Sequence, residues 1–217
     1  MTTNTNTNTN TNTGCLFIIS APSGTGKTSL VRALLKADPS LKLSISHTSR
    51  PSRSEEIDGR DYHFVSEEEF KQKLLRGEFL ESAEVYGNLY GTSQKWINEN
   101  MTNGQDILLE IDCQGALQVR KIFPQAIGIF ILPPSTETLA IRLKTRGQDD
   151  PGAIEKRLYA VREEVGHVHE FDYVIINNRL EEAVNDLTCI VKSEHLKRER
   201  QLVNHHALIT QLGYTAL

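Results

Sequence analysis

The chain has 217 residues, and its 24 Lys and Arg against 28 Asp and Glu leave a net charge of −4. That length can bury a substantial core, best as one domain carrying insertions. The faintly acidic balance excludes a global basic field for nucleic acid, so an anionic ligand must be met by locally clustered arginines. Cys15, Cys113 and Cys189 are too far apart for a disulfide framework or a zinc motif. No apolar run approaches the roughly 18–20 residues a bilayer requires, and no secretory leader is evident. A soluble protein of the reducing cytoplasm, with no membrane partner, is expected.

Residues 1–13 alternate Thr and Asn after the initial Met. They offer nothing to anchor to a core and read as a disordered tail. The folded part begins at Gly14. "CLFIIS" (15–20) is an apolar run of strand length, and "SLVRALLKA" (29–37) continues as a helix. Between them, "APSGTGKTS" keeps the spacing of a phosphate loop, with Ala21 in place of the first glycine. In such a loop successive backbone N–H groups and a helix N-terminus face the anion. Gly24 and Gly26 grant the backbone angles and close approach, Lys27 supplies charge for the β- and γ-phosphates, and Thr28 a hydroxyl for Mg²⁺. The first position only ends the strand, where a methyl group fits.

Four further runs read as buried parallel strands: "LKLSIS" (41–46), "DILLEI" (106–111), "IGIFIL" (127–132) and "YVIIN" (173–177). Helical patterns alternate with them, so a doubly wound α/β core is expected. Residues 47–97 break the rhythm with strands at "DYHFV" and "FLESAEVY" around one helix. Ser66 and Glu69 form a capping box for that helix, Val65 and Phe70 a staple, and Gly77 a stop. This reads as an inserted α+β lobe. A second insertion, 133–170, reads as a helical lid, with Asp150 and Pro151 starting its second helix and Ile154, Leu158, Val161 and Val165 forming an apolar stripe. The core resumes over 98–132 and 171–217, the latter ending in a helical pattern with a solvated basic stretch at Lys197–Arg200.

The strand ending "LLEID" supplies Glu110 and Asp112 at the sheet edge where open α/β proteins bind ligands. Asp112 is a candidate for the Mg²⁺ shell, with a turn-capping aspartate as the alternative. The inserted lobe supplies a second anion site: Arg50 and Arg53 flank a proline, and Tyr62, Tyr90 and Thr92 follow. Guanidinium forks and hydroxyls suit a phosphate monoester. A phosphate acceptor is already ionised, so transfer to it needs alignment and charge neutralisation without a general base. Arg142 and Arg146 share a helix face in the lid, and Arg157 follows them, which makes all three candidates for that neutralisation.

"SAPSGTGKTS", "SISHTSRPSRSEEIDGRDYHFVSEEEF", "GEFLESAEVYGNLYGTS" and "LLEIDCQGA", in this order, resemble the guanylate kinases of bacteria, over residues 14–196. The resemblance implies a P-loop NTPase core with a five-stranded parallel sheet, a GMP-binding lobe and a lid, acting on MgATP and GMP or dGMP. It implies an ATP site at Ala21, Pro22, Ser23, Gly24, Thr25, Gly26, Lys27 and Thr28, joined by the lid arginines Arg142, Arg146 and Arg157, and by Asn177 near the adenine. The GMP phosphate would fall to Arg50, Arg53, Tyr62 and Tyr90, and the guanine to Ser46, Glu81, Thr92 and Asp112. Chemically this is apt: guanine presents N1–H and N2–H₂ donors beside O6, so an ionised Glu81 accepts from both nitrogens while Thr92 donates to O6. AMP would leave the carboxylate unpaired. A non-catalytic guanylate-kinase-like binding domain, a related kinase with another phosphorylated acceptor, and a nucleotide hydrolase are the alternatives. Intact Lys27 weighs against the first, and the base-reading set against the second. The sequence is compatible with a homo-oligomer.

Overall fold

The computed structural model describes residues 13–85, 87–145 and 161–213. Of the expected tail, only Thr13 falls within them. Five strands, β1 (Leu16–Ser20), β2 (Lys42–Leu43), β7 (Ile107–Glu110), β8 (Ile127–Leu132) and β9 (Tyr173–Ile176), form an all-parallel sheet in the order β2-β7-β1-β8-β9. The central strand β1 is buried throughout because both of its faces are covered. Phe17 and Ile19 enter one core with Leu30, Val31 and Leu34 of α1 (Lys27–Ala37) and with Ala183, Leu187, Ile190 and Val191 of α7 (Leu180–His195). Leu16 and Ile18 point the other way, to Ile97 of α3 (Gln94–Thr102) and to Ala116 and Val119 of α4 (Cys113–Ile122). The two-residue period of a strand thus divides one apolar run between two helical layers.

The expected strand 41–46 is short. After β2 and one more ladder bond from Ser44 N–H to Leu108 O, the chain leaves the core sheet, and β3 (His47–Thr48) joins another. That second sheet has the order β4-β3-β6-β5, with β4 (His63–Phe64), β5 (Phe79–Val85) and β6 (Asn88–Ser93). β6 was not expected as a strand, because a glycine at its centre and turn residues before it conceal its pattern. Between β4 and β5, α2 (Glu67–Leu75) starts at Ser66, whose hydroxyl accepts from Glu69 N–H at 3.1 Å, and stops before Gly77 at φ 66°. Phe70 anchors α2 by stacking on Phe79 with centroids 4.5 Å apart.

Beyond β8, Leu139 and Leu143 of α5 (Thr136–Thr145) pack with Val161 and Val165 of α6, helical over residues 161–165, in a small separate core. Asp150, Pro151, Ile154 and Leu158 lie outside the described residues. The C-terminal pattern resolves into α7 and two shorter helices, α8 (Arg198–Asn204) and α9 (His206–Gln211). Its basic stretch is only partly a free solvated face: Lys197 pairs with Glu194, and Arg200 donates to Thr13 O.

Candidate active site

β1 ends where the phosphate loop begins, at the C-terminal edge of the sheet. Gly24 and Gly26 have φ of 86° and 94°, in the region that L side chains avoid, and Gly26 caps α1 from there. A Cβ on Gly26 would sit 2.7 Å from the Asn177 amide nitrogen, so the loop also needs glycine for close approach. Thr25 closes the loop on itself, its hydroxyl donating to Pro22 O at 2.8 Å. Ala21, half-buried, packs against the first core without disturbing the turn.

Two residues from later elements hold the loop from outside. The Asn177 amide donates to Thr25 O at 2.7 Å, and Arg142 donates to Thr25 O at 3.2 Å and to Asn177 O at 3.1 Å. Asn177 therefore sits under the phosphate loop, a position sequence spacing does not reveal. Lys27 donates to Ile111 O at 2.9 Å, beyond the end of β7. Thr28 donates to Glu110 Oε1 at 2.5 Å. Of the two carboxylates of "LLEID", it is Glu110 that meets the loop hydroxyl. Asp112 caps α4, accepting from Gly115 N–H at 2.8 Å. Hydroxyl and carboxylate oxygens beside an anion cradle are a hard donor set of the kind Mg²⁺ takes.

The second sheet brings the other group of residues to the same edge. Glu81 and Thr92 are cross-strand partners, and the Thr92 hydroxyl donates to Glu81 Oε1 at 2.6 Å. Glu81 is only 4% exposed. Burial pushes its carboxyl up to about 7, opposed by the Thr92 hydrogen bond and by Lys27, and reinforced by Asp112. The N-terminus of α4 approaches so closely that a Cβ on Gly115 would lie 2.5 Å from Glu81 Oε2. Gln118 fastens the two elements, accepting from Ser82 N–H at 3.1 Å and donating to Ser82 O at 2.8 Å. Gly115 and Gln118 escaped the sequence reading. The spacing of Asp112 to Gly115, a capping carboxylate and the N–H that donates to it, is the available signal.

Arg50 makes a bond of 2.7 Å to Glu56, donates to Pro51 O, and lies over the Tyr62 ring at 5.5 Å. Glu56, though partly desolvated, is held below the usual carboxylate range by Arg50. Tyr62 and Tyr90 meet edge to face at 5.9 Å, and burial raises the Tyr62 hydroxyl to about 12, so it remains a donor at neutral pH. Arg53 is exposed, with its backbone N–H bonded to Glu56. Half-buried Ser46 closes the ladder through its carbonyl to His63 N–H. Arg146 and Arg157 lie outside the described residues.

Among the described residues, one further cluster combines Cys15, Asp106 and His195. It lies at the opposite, N-terminal edge of the sheet, just before β1 and β7. Both Asp106 oxygens are occupied there, by Cys15 N–H and by His195. No helix among the described residues is long and apolar enough to cross a membrane.

Residues 13–194 match the family model described as guanylate kinase. The chain is 61% identical to the guanylate kinase of Nitrosospira multiformis over 204 residues, covering 94% of this chain and 97% of that protein. It is 59% identical to the guanylate kinase of Nitrosomonas europaea, covering 92% and 99%. Among solved structures, guanylate kinase from Anaplasma phagocytophilum is similar at a TM-score of 0.76 and 32% identity, over 94% of this chain and 98% of that one.

Proposed function

The chain belongs to the guanylate kinase family and is an ATP:GMP phosphotransferase, and from that premise we propose which of its residues carry the reaction. ATP enters the loop Ala21–Thr28, with the N–H groups of residues 23–28 and the Lys27 ammonium on its phosphates. Residues 47–97 form the GMP lobe and residues 133–170 the lid, which contributes Arg142, Arg146 and Arg157. Ser46, Glu81, Thr92 and Asp112 read the guanine of GMP or dGMP, and Arg50, Arg53, Tyr62 and Tyr90 hold its phosphate.

The observation that carries the base assignment is Glu81: a buried carboxylate facing the transfer site with a single hydroxyl donor from Thr92. Guanine's N1–H and N2–H₂ supply the donors that a buried carboxylate wants, each charge-assisted bond being worth about 1.5–3 kcal/mol. Once those donors arrive, Thr92 is placed to turn its hydroxyl to O6. Adenine brings no N1–H and leaves Glu81 short of partners. Arg50 is released from Glu56 as the GMP phosphate replaces that carboxylate.

In the transfer, an ionised oxygen of the GMP phosphate forms a bond to the γ-phosphorus while the bond to the β-phosphate oxygen breaks, giving GDP and ADP. Charge accumulates on the transferring oxygens and the leaving β-phosphate. Lys27, freed from Ile111 O, and Arg142, beside the loop, neutralise it. Thr28 and Glu110 are the residues that would hold Mg²⁺, which would supply positive charge to the phosphates when bound with ATP. The three free cysteines suit the reducing cytoplasm, where both substrates are found. A coupled ADP-release assay with MgATP and GMP, dGMP, AMP, UMP or no acceptor tests the reading. Turnover is expected with GMP and dGMP only; comparable rates with AMP would remove Glu81 from its role, and rates without acceptor would indicate hydrolysis.

A further inference from the structure

β5 ends the order β4-β3-β6-β5, so among the described residues no strand covers its outer edge. An uncovered edge leaves backbone N–H and C=O groups without ladder partners. At Ser82, next to Glu81, a side chain takes the missing strand's place. Gln118 of α4 accepts from Ser82 N–H at 3.1 Å and donates to Ser82 O at 2.8 Å. A primary amide offers an acceptor and a donor in one plane, the same pair that a neighbouring strand would present.

The place of these bonds points to more than stability. β5 carries one residue more than β6 between Phe79 and Glu81, a bulge that breaks the register just before the glutamate. Bulges re-aim the side chains beside them, so pairing with β6 by itself constrains the direction of Glu81 less than a regular ladder would. Gln118 grips both peptide groups that flank the Ser82 Cα, and the first of them is also the peptide of Glu81. The helix that supplies this amide starts at its cap, Asp112, and brings Gly115 against Glu81 Oε2. Gln118 therefore joins the strand that carries Glu81, in the second sheet, to a helix packed on the first.

We propose that Gln118 is a positioning residue for guanine selection: by completing the open edge of β5 at Ser82, it fixes the Glu81 carboxylate relative to Asp112 and so sets the preference for GMP over AMP. This rests on Glu81 reading the base. Without the amide, the strand after the bulge is free to shift against α4. Hydrogen bonds to N1–H and N2–H₂ are short and directional and tolerate little displacement. The phosphate loop, built on β1 and α1, takes no support from Gln118, so ATP binding is spared.

Steady-state kinetics of the full chain with GMP and with AMP as acceptor, and with ATP varied, test this. Gln118→Met keeps the length of the side chain and removes both bonds. The expected result is a fall of about ten- to hundredfold in kcat/KM for GMP, carried by KM more than kcat. The GMP-to-AMP preference falls with it, and KM for ATP stays within about twofold. A merely structural loss lowers the active fraction for both acceptors alike and leaves their ratio alone; circular dichroism checks the fold. Should Gln118→Met not fold, Gln118→Glu, which keeps the shape and the acceptor for Ser82 N–H but loses the donor, carries the same readouts. Because Gln118 acts through Glu81, the effect of Gln118→Met on GMP should largely vanish in the Glu81→Gln background. An unchanged preference, a parallel rise in KM for GMP and ATP, or full additivity with Glu81→Gln overturns the proposal. If Glu81→Gln itself leaves the preference intact, the base assignment falls and takes this proposal with it; if Glu81→Gln lowers it and the Gln118 variant does not, only the role of Gln118 falls.

Discussion

Glu81→Gln should make the protein more stable and a far worse guanylate kinase. Burial raises the Glu81 carboxyl from an ordinary 4.5 to about 7, and at about 1.4 kcal/mol per tenfold change this amounts to roughly 3 kcal/mol of cost for keeping the group ionised in the folded chain. The sign follows from the direction. A carboxyl whose folded value is raised contributes stability below about pH 4.5 and loses it as pH climbs through 7, so the penalty is fully present at pH 8. Gln cannot ionise, and it still accepts from Thr92 through its carbonyl oxygen. Allowing for an amide less well satisfied than the acid, the variant should gain about 1–3 kcal/mol at pH 8 and little at pH 4.5. If Glu81 reads guanine as proposed, the variant loses two charge-assisted acceptor bonds, roughly 3–6 kcal/mol, or about 10²–10⁴ in kcat/KM for GMP. Urea unfolding at the two pH values, with kcat/KM for GMP and AMP, measures both effects. A variant no more stable at pH 8 than at pH 4.5, relative to the parent, would refute the burial argument. An unchanged preference for GMP over AMP would refute the base-reading role.

The same carboxyl should impose a pH dependence on GMP use. If Glu81 reads guanine as proposed, the base requires its ionised form, so kcat/KM for GMP should fall about tenfold between pH 8 and pH 6. Glu81→Gln should lack that component, and comparing its profile with the parent's removes the titration of the GMP phosphate itself. Gly115→Ala places a methyl group 2.5 Å from Glu81 Oε2. The expected outcome is about 1–3 kcal/mol of destabilisation and a raised KM for GMP with KM for ATP nearly unchanged, read from melting curves and steady-state kinetics; a parallel rise in both KM values would contradict the placement of α4 against the guanine site.

The phosphate loop is legible in sequence because its requirements are local. Two positive-φ glycines, a lysine and a hydroxyl must follow one another at the end of a strand, and no distant residue can substitute for them. The tolerance of Ala21 is local too, since that position packs on the core and leaves the turn alone. The three central strands β7, β1 and β8 are legible for a related reason: strands covered on both faces must be apolar throughout, whereas the edge strands β2 and β9 carry exposed residues. β6 was hidden because Gly91 interrupts its pattern and its partners, β3 and β5, lie far from it or across a turn. The pairing of Thr28 with Glu110 rather than Asp112, and the station of Asn177 and Arg142 on Thr25 O, depend on how the ends of β1, β7 and β9 line up across the sheet.

Sequence alone therefore determined the chemistry on offer: an anion cradle, a cluster of arginines and tyrosines, and a glutamate that resembles a base-reading residue. It carried no sign that Glu81 is buried, or that Gly115 and Gln118 hold α4 against it. Those facts arise only when segments tens of residues apart are packed together. Burial and the approach of charge are what shift a carboxyl toward neutrality, and neither is a property of any residue in its own stretch of chain.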